Sequence, residues 1–583
     1  MALIRLLAVE HFRGIAKGVL VPTAGVNALI GPGDSGKSTL LDAIELVLQP
    51  RRSATFTDAD FHKLDVTTPI VITVTLGDLP PTLLDLDAYG LFLRGWDNEL
   101  GGDFPEPGPA LETVLSMRLT VTSDLEPRWS LYSERAEAEG VTKDLTWNDR
   151  VALAPTRLGA VANHHFSWSP RSILNRLTDQ RATASQALAE AARKARAEFG
   201  ASAGVQVAET LKIVDETAKA AGVPGGEGAL ALLDAHGVSF SGGAIALHDA
   251  DGVPLRSLGV GSARLLVASL QAVAGEAAPI SLIDEIEHGL EPYRISRLLH
   301  RLGSKNPPAD RQIFLTTHSA VVLRELASSQ LWRVLRAPDG TISARGIGGL
   351  IEDQKTVRAN AEGFLAPNVL ICEGATEIGL ARGLDLYWTE QGDDALAYLG
   401  VAVCDGGGST MFARAATFGR MGYRTALWRD SDVGPTPEQQ ASLDAAGIVQ
   451  FAWDAANSTE MQLFQSLPEA AVLALVAIAE EVKGADSVAQ HCKNQGLDFN
   501  REILELVGLS ADERAALGRA AGKGTWFKAI EPAETVGRSI LGPYLAESSV
   551  PLPAILASLR DWMTGAASAP AADENDEDDL VVI

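Results

Sequence analysis

The stretch GPGDSGKST, Gly31 to Thr39, constrains this chain more than any other feature. It fits the pattern G-x-x-x-x-G-K-[ST]. Its glycines let the backbone curl so that successive N–H groups point inward, a concavity suited to phosphate oxygens. The apolar run Val26–Ile30 precedes it and Leu40–Leu48 follows with helical spacing. The loop therefore joins a buried strand to a helix N-terminus, whose dipole adds to the anion site. The expected contacts to ATP come from Gly31, Gly33, Asp34, Ser35, Gly36, Lys37, Ser38 and Thr39. Lys37 should reach the β- and γ-phosphates, and Ser38 should ligate Mg²⁺. Gly31, Gly33 and Gly36 also spell G-x-G-x-x-G. That dinucleotide pattern needs an acidic strand end about 20 residues on, and RRSATFTDAD is not a convincing strand. The phosphate-loop reading is preferred.

Such a loop requires an apolar strand ending in acid elsewhere, and PISLIDEIEHGLEP supplies it. Asp284 is expected to hold Mg²⁺, directly or through water, and Glu285 to polarise the attacking water. A third segment, IFLTTHSAVVL, delivers His318 near the end of a short apolar strand, where it can sense the γ-phosphate. The order of these three parts resembles that of the ABC-type ATPases. The resemblance implies that ATP closes between two subunits against a Gly-rich signature loop. RSLGVGSARLL, with Ser257, Gly259, Gly261 and Ser262, is the candidate, although it departs from the usual LSGGQ. It also implies a homodimer. The long gap between Thr39 and Asp284 resembles the interrupted ATPase heads of the SMC and recombination-protein families. The helices in that gap are too short and broken for a long coiled-coil arm.

A second alternation of strand and helix starts at Asn368–Cys372 and continues through Val401–Cys404 and Thr425–Trp428. Each strand is followed by acid. Glu373 comes directly after the first, with Glu377 one helical turn on. Asp405 follows the second, and Asp430 and Asp432 follow the third. Ligands in open α/β sheets gather at the carboxyl ends of strands. Carboxylates gathered there repel one another, and a divalent cation relieves the repulsion; Mg²⁺ takes oxygen ligands. Two such ions could activate water and stabilise the leaving oxygen in phosphodiester cleavage.

This pattern, a Glu after one strand and Asp-x-Asp after a later one, resembles a Toprim domain. An ABC-type ATPase ahead of a Toprim domain is similar to the OLD-family (overcoming lysogenisation defect) nucleases. The resemblance starts at Phe12–Ile15 and the phosphate loop, and Glu373, Gly374 and Glu377 match that family's Glu-Gly-x-x-Glu element. It implies two-metal DNA cleavage with Mg²⁺ or Mn²⁺, two ions at the Toprim site beside one at the ATPase site. It further implies dimerisation through the N-terminal half, roles in phage defence or DNA processing, and for some members a UvrD-type helicase partner. A later acid and a Lys are also expected. Glu460 is the choice for the acid, with a solvated helix face as its alternative. Lys523 and Lys528 both offer a charge for the scissile phosphate; Lys523 is preferred because glycines beside it allow close approach.

The resulting fold class is α/β, an ABC-type P-loop ATPase head with a helical dimerisation insert, then a Toprim α/β domain with C-terminal helices. The expected boundaries are 1–168 and 236–360 for the ATPase, 169–235 for the insert, 361–565 for the Toprim domain, and 566–583 for an acidic, disordered tail. Residues 331–365 read as less regular. The net charge of −26 disfavours DNA binding by bulk electrostatics. Contacts to DNA must then come through metals or local patches such as Arg51, Arg52, Arg294, Arg297, Arg301 and Lys305, which equally fit a solvated helix face. The three cysteines lack zinc-ligand spacing and an even count; Cys372 and Cys404 sit in apolar runs and read as core. No signal peptide or membrane-length apolar run is visible, so a cytoplasmic protein is expected. The alternative function is a DNA-clamping ATPase of the recombination-protein type with an inert Toprim unit. A topoisomerase- or primase-like activity is the further rival.

Overall fold

The computed structural model describes residues 2–50, 53–158, 163–167, 207–221, 246–274, 279–305, 311–453, 457–498 and 508–565, with isolated positions between 172 and 205. The acidic tail, Arg51, Arg52 and most of the expected insert lie outside the described residues. The described part of that insert includes a helix, Ala208–Ala221. The chain forms two compact units. One comprises 1–47, 51–145 and 303–583; the other comprises 48–50 and 146–302.

The larger unit holds a broad mixed sheet. Its strands are β1 (Leu3–Phe12), β2 (Ile15–Leu20), β3 (Gly25–Ile30), β4 (Ile70–Gly77), β5 (Leu93–Asp97), β6 (Gly102–Phe104), β7 (Glu112–Val121) and β8 (Pro127–Tyr132). The smaller unit has its own pair of strands, β9 (Thr156–Leu158) and β10 (Ile280–Ile283), paired in parallel. The larger unit resumes with β11 (Gln312–Thr316), β12 (Leu331–Arg336) and β13 (Thr341–Gly346). The last two strands and a helix, Ile351–Ala359, occupy the stretch expected to be irregular. That expectation is corrected. The signal was weak because polar residues interrupt both strands; they pair with each other, and their outer partners, β3 and β2, lie in distant segments.

Within this unit the strand order is β6-β5-β7-β4-β1-β2-β13-β12-β3-β11, with β8 on β7. The outer part is antiparallel, whereas β3 runs parallel to both β11 and β12. All six residues of β3 are buried, as expected for a strand covered on both faces. Buried Gln312 stitches the start of β1 to β11: its Oε1 accepts from Ile4 N at 2.8 Å and its Nε2 donates to Ile4 O at 2.9 Å.

The same unit carries a second sheet of four parallel strands, β14 (Asn368–Cys372), β15 (Val401–Asp405), β16 (Arg424–Arg429) and β17 (Val449–Ala452), in the order β15-β14-β16-β17. Helices Ala375–Glu390, Met411–Arg420 and Pro437–Ala445 join them. C-terminal helices Thr459–Ser466, Glu469–Lys483, Ala511–Gly524 and Leu552–Thr564 complete a core that includes Trp428, Phe464, Leu517 and Leu559. Cys372, Cys404 and Cys492 are buried free thiols. No single helix among the described residues is long and apolar enough to cross a membrane.

Candidate functional site

The phosphate loop forms where the fully buried β3 stops and helix Lys37–Leu48 begins. Gly31 and Gly36 take φ of +146° and +93°. The Val334 carbonyl leaves no room for a Cβ on Gly31, and a Cβ on Gly36 would require the Ile342 side chain to shift. Gly33 faces open space, so the loop needs the glycines of the phosphate pattern rather than the middle glycine of the dinucleotide one. Lys37 is buried, and its ammonium donates to Gly31 O at 3.0 Å, Pro32 O at 2.7 Å and Ser35 Oγ at 3.2 Å. The lysine is thus held in the mouth of the loop. β11 pairs with β3 in register, Thr316 opposite Leu29. His318 therefore leaves its strand at the same sheet end as Gly31, and it is exposed there.

In the smaller unit, Asp284 and Glu285 follow β10. Arg157 reaches Asp284 Oδ2 at 3.2 Å. Arg264 is buried and donates to the backbone carbonyls of both Asp284 and Glu285, at 2.8 Å each. Glu285 takes φ +46°, a conformation that these two bonds hold in place. Helix Val260–Ala274 starts inside the signature candidate, and Gly261 packs so tightly on Gly289 O that a Cβ would overlap it. Gly259 faces open space, and Ser262 Oγ accepts from Arg294 at 2.9 Å. Arg301 likewise donates to Ser269 Oγ, and Lys305 pairs with Glu325, so much of the expected basic face is engaged within the fold. Arg157 and Arg264 were not anticipated. The only sequence signal was an Arg inside each flanking apolar segment.

The acidic residues of the second sheet divide by strand order. The chain passes from β14 outward to β15 and then back across to β16, so the crevice between β14 and β16 is the switch point where such sheets bind ligands. Glu373 follows β14, and its Oε2 accepts from Asp430 N at 2.8 Å. Asp430 follows β16, and its Oδ1 accepts from Thr459 N at 2.6 Å and Thr459 Oγ1 at 2.7 Å. Glu377 is buried on the first turn of its helix, with Oε1 at 2.7 Å from the same Thr459 hydroxyl. Trp453 Nε1 also donates to that hydroxyl, at 2.7 Å. A hydroxyl has one proton to give, so it cannot satisfy both carboxylates at once. Glu460, adjacent to Thr459, is buried with Oε1 lacking any partner. Asp432 is exposed nearby, and its charge acts on Glu373. Asp405 lies apart. It ends β15, on the far side of β14, and turns to Arg414 at 3.1 Å and to Gly407 N.

The electrostatics follow from this crowding. Burial, then the Asp430 charge, pushes the Glu377 carboxyl up to about 8. Burial, with Glu373 and Glu460 adding, pushes Asp430 up to about 7. Glu373 is raised chiefly by burial, opposed by the Asp430 N–H hydrogen bond and by the charges of Arg429 and Lys528. Among the described residues no three His, Cys, Asp or Glu side chains converge on one point at ligating distance. The grouped donors are all oxygen and repel one another, the type of donor a hard cation takes, and Glu460 Oε1 is buried without a hydrogen-bond partner, which is rare for a buried polar atom. Lys523 faces Gln495, at 3.4 Å, on the surface. Lys528 is exposed beyond Phe527, whose carbonyl accepts from Thr376 Oγ1 on the helix of Glu377. Thr459 was missed in the sequence. The Ser-Thr-Glu at a helix start was the available signal, and Ser458 is the N-cap.

Residues 26–324 match the protein family described as "AAA domain, putative AbiEii toxin, Type IV TA system". No curated protein matches the chain. Among solved structures, the chain is similar to the Smc head domain of Pyrococcus furiosus with an extended coiled coil, bound to the C-terminal domain of ScpA. The identity is 14%, over 59% of this chain and 96% of that one, with a TM-score of 0.33. An SmcHead bound to the C-winged helix domain of ScpA is 17% identical over 60% of this chain and 99% of that one, with a TM-score of 0.34. The SMC head domain of Thermotoga maritima is 14% identical over 59% and 99%, with a TM-score of 0.29. At these scores the similarity assigns neither partner nor activity.

Proposed function

The chain belongs to this AAA-domain family of P-loop ATPases, and we propose that it couples ATP hydrolysis to divalent-metal-dependent cleavage of DNA. One observation carries the nuclease half: the carboxylates of Glu373, Glu377, Asp430 and Glu460 gather at the β14–β16 switch point, with a buried Glu460 oxygen unpaired. Mg²⁺ or Mn²⁺ held by these residues would supply an activated water and a counter-charge for the leaving oxygen. Glu373 and Asp430 would orient the ions, with Asp432 at the rim. Thr459 holds Glu377 and Asp430 in place. Lys528 is better placed than Lys523 to face the scissile phosphate. Asp405 has an ordinary structural role, anchoring Arg414.

In the ATPase half, the loop backbone and Lys37 bind the phosphates, and Ser38 and Asp284 bind Mg²⁺. Glu285 acts as the base for the attacking water, His318 senses the γ-phosphate, and Gly259, Gly261 and Ser262 meet ATP across a homodimer. These roles rest on residue order and on the family match. DNA as substrate, service in phage defence or DNA processing, and a UvrD-type helicase partner rest on the OLD-family resemblance. A second reading, an ATP-driven DNA clamp with an inert second sheet, draws support from the lack of three converging ligands among the described residues.

Supercoiled plasmid incubated with the protein and Mg²⁺ or Mn²⁺, beside Glu377→Ala, separates the two. Metal-dependent nicks absent from the variant support the nuclease. Nucleotide-dependent DNA retention without strand breaks supports the clamp.

A further inference from the structure

The larger unit contains both the phosphate loop and the carboxylate cluster. One buried side chain bridges the parts that carry them. β12 lies beside β3 with Arg333 opposite Ile30, the residue before the loop. The next residue, Val334, presents the carbonyl that closes against Gly31. Arg333 is buried, and it leaves its own sheet to donate to Met421 O at 2.6 Å. Its guanidinium stacks 3.4 Å above the ring centroid of Tyr423. Tyr423 is fixed in turn: its hydroxyl donates to Phe364 O at 2.7 Å, and its ring packs edge-on against Phe364 and Phe418. β16 begins at the next residue and ends at Arg429, the residue before Asp430.

A second clasp fixes the neighbouring elements. Asp353 accepts from Arg420 and Thr417, and Asn360 exchanges two 2.9 Å hydrogen bonds with the backbone of Asp405. The Asp353 contacts hold helix Met411–Arg420 in place, and the Asn360 contacts hold the end of β15. Arg333, with Leu335 and Arg345 also beside Gly422, connects the strand next to the phosphate loop to the segment that enters β16, and of these three it is the one that donates a side-chain hydrogen bond there.

The arginine is an expensive way to hold two layers together. Its Nε is buried without a partner, and burying a guanidinium against aromatic rings forfeits hydration that an apolar side chain would never need. Packing alone would be better served by Met or Leu. A directional, charge-bearing strut instead ties the position of one backbone carbonyl, Met421 O, to the position of β12. β16 is hydrogen-bonded on both sides, to β14 and β17, so a stiff segment joins Tyr423 to Asp430.

We infer that Arg333 is a positioning residue, which passes the state of the phosphate loop through Val334, Tyr423 and β16 to Asp430, so that bound nucleotide resets the carboxylate cluster. The effect on cleavage rests on the nuclease reading above; the transmission to β16 does not.

The test uses the full chain and its Arg333→Met variant, which keeps the stem and removes the strut. Three quantities are measured: ATP hydrolysis, amide hydrogen exchange across Met421–Asp430 with and without Mg²⁺ and a non-hydrolysable ATP analogue, and plasmid nicking with and without ATP. In the unmodified chain the analogue changes exchange across that segment. Arg333→Met hydrolyses ATP within about twofold of the parent, loses the exchange response, and nicks at a rate that ATP no longer changes. Persistence of the exchange response in Arg333→Met, or its absence from the parent, overturns the inference. If Arg333→Met fails to fold, Tyr423→Leu cuts the same link from the other side and is read identically. A parent that shows the exchange response but never nicks supports the strut and defeats only the nuclease reading.

Discussion

The phosphate loop and the carboxylate cluster bind charge by opposite means. The loop is nine consecutive residues, and its working parts are backbone N–H groups, two glycine conformations and one lysine. The cluster is assembled from side chains of three separate segments, 373–377, 430–432 and 459–460, and its groups repel one another. A loop of backbone dipoles is complementary to an anion before the anion arrives. A nest of carboxylates is strained until a cation does. The first should be sensitive to shape and tolerant of charge, and the second the reverse.

The sharpest test of the charge-dependent side is an isosteric change. Asp430→Asn and Glu377→Gln preserve volume and most hydrogen bonds but remove the cation's ligands. Metal-dependent nicking should fall about 10³-fold or more in either, the scale of losing a principal charge-stabilising group, while ATP hydrolysis is unchanged. Nicking that survives Asp430→Asn would dissolve the comparison, because the cluster would then be an ordinary structural network. On the shape-dependent side, Gly31→Ala should cut ATP hydrolysis by about 10²-fold. It places a Cβ on Val334 O at φ +146°, and it displaces donors that act only when in position. Gly33→Ala, which meets nothing, should remain within a few-fold. Equal damage from the two glycines would reverse the assignment of the loop.

The same contrast explains what could be read from the sequence. The loop was legible because all its determinants are local. The strands Ile280–Ile283 and Asn368–Cys372 were legible as short apolar runs, and they occur where expected. Acids after strands were also visible, but their grouping depends on strand order, which no local pattern contains. Asp405 follows its strand just as Asp430 does, and only the position of β15 across β14 removes it from the crevice. Thr459 was invisible for the complementary reason: its role is to be within 2.7 Å of residues 29 and 82 positions earlier. The two strands and helix within 331–365 were missed because Arg333 and other polar residues break the apolar pattern. The broken pattern marks the contact with the second sheet.

Strain in the cluster should show as a pH dependence of stability. Glu377 and Asp430 have folded-state values of about 8 and about 7, above their ordinary 4.5 and 3.8. Between the unfolded and folded values the native state binds more protons, so native stability falls as pH rises through that window. In chelator, the unfolding free energy from denaturant titration should therefore drop between about pH 5 and pH 8, by an amount on the order of 3 kcal/mol for the coupled pair, and the midpoint with it. Mn²⁺ should recover most of it, and Glu377→Gln should flatten the slope. A midpoint independent of pH and Mn²⁺ would mean that the carboxylates are relieved by hydrogen bonds alone. The phosphate loop predicts no comparable slope.

The smallest effects discriminate most finely, between two lysines five residues apart. Lys523 has the flanking glycines that favour close approach to a phosphate, yet its ammonium reaches Gln495 at the surface. Lys528 has no such flank, but the carbonyl of Phe527 before it accepts from Thr376 on the helix of Glu377, and its charge, like that of Arg429, opposes the rise of the Glu373 carboxyl. A cation that one carboxylate feels in the folded protein is also felt by charge developing on a phosphate beside that carboxylate. Lys528→Ala should thus lower the nicking rate about tenfold at saturating Mn²⁺, with Lys523→Ala within about twofold of the parent. The opposite ranking would show that local flexibility, the property that makes the phosphate loop work, governs the second site as well, and the division between a shape-built and a charge-built site would fall.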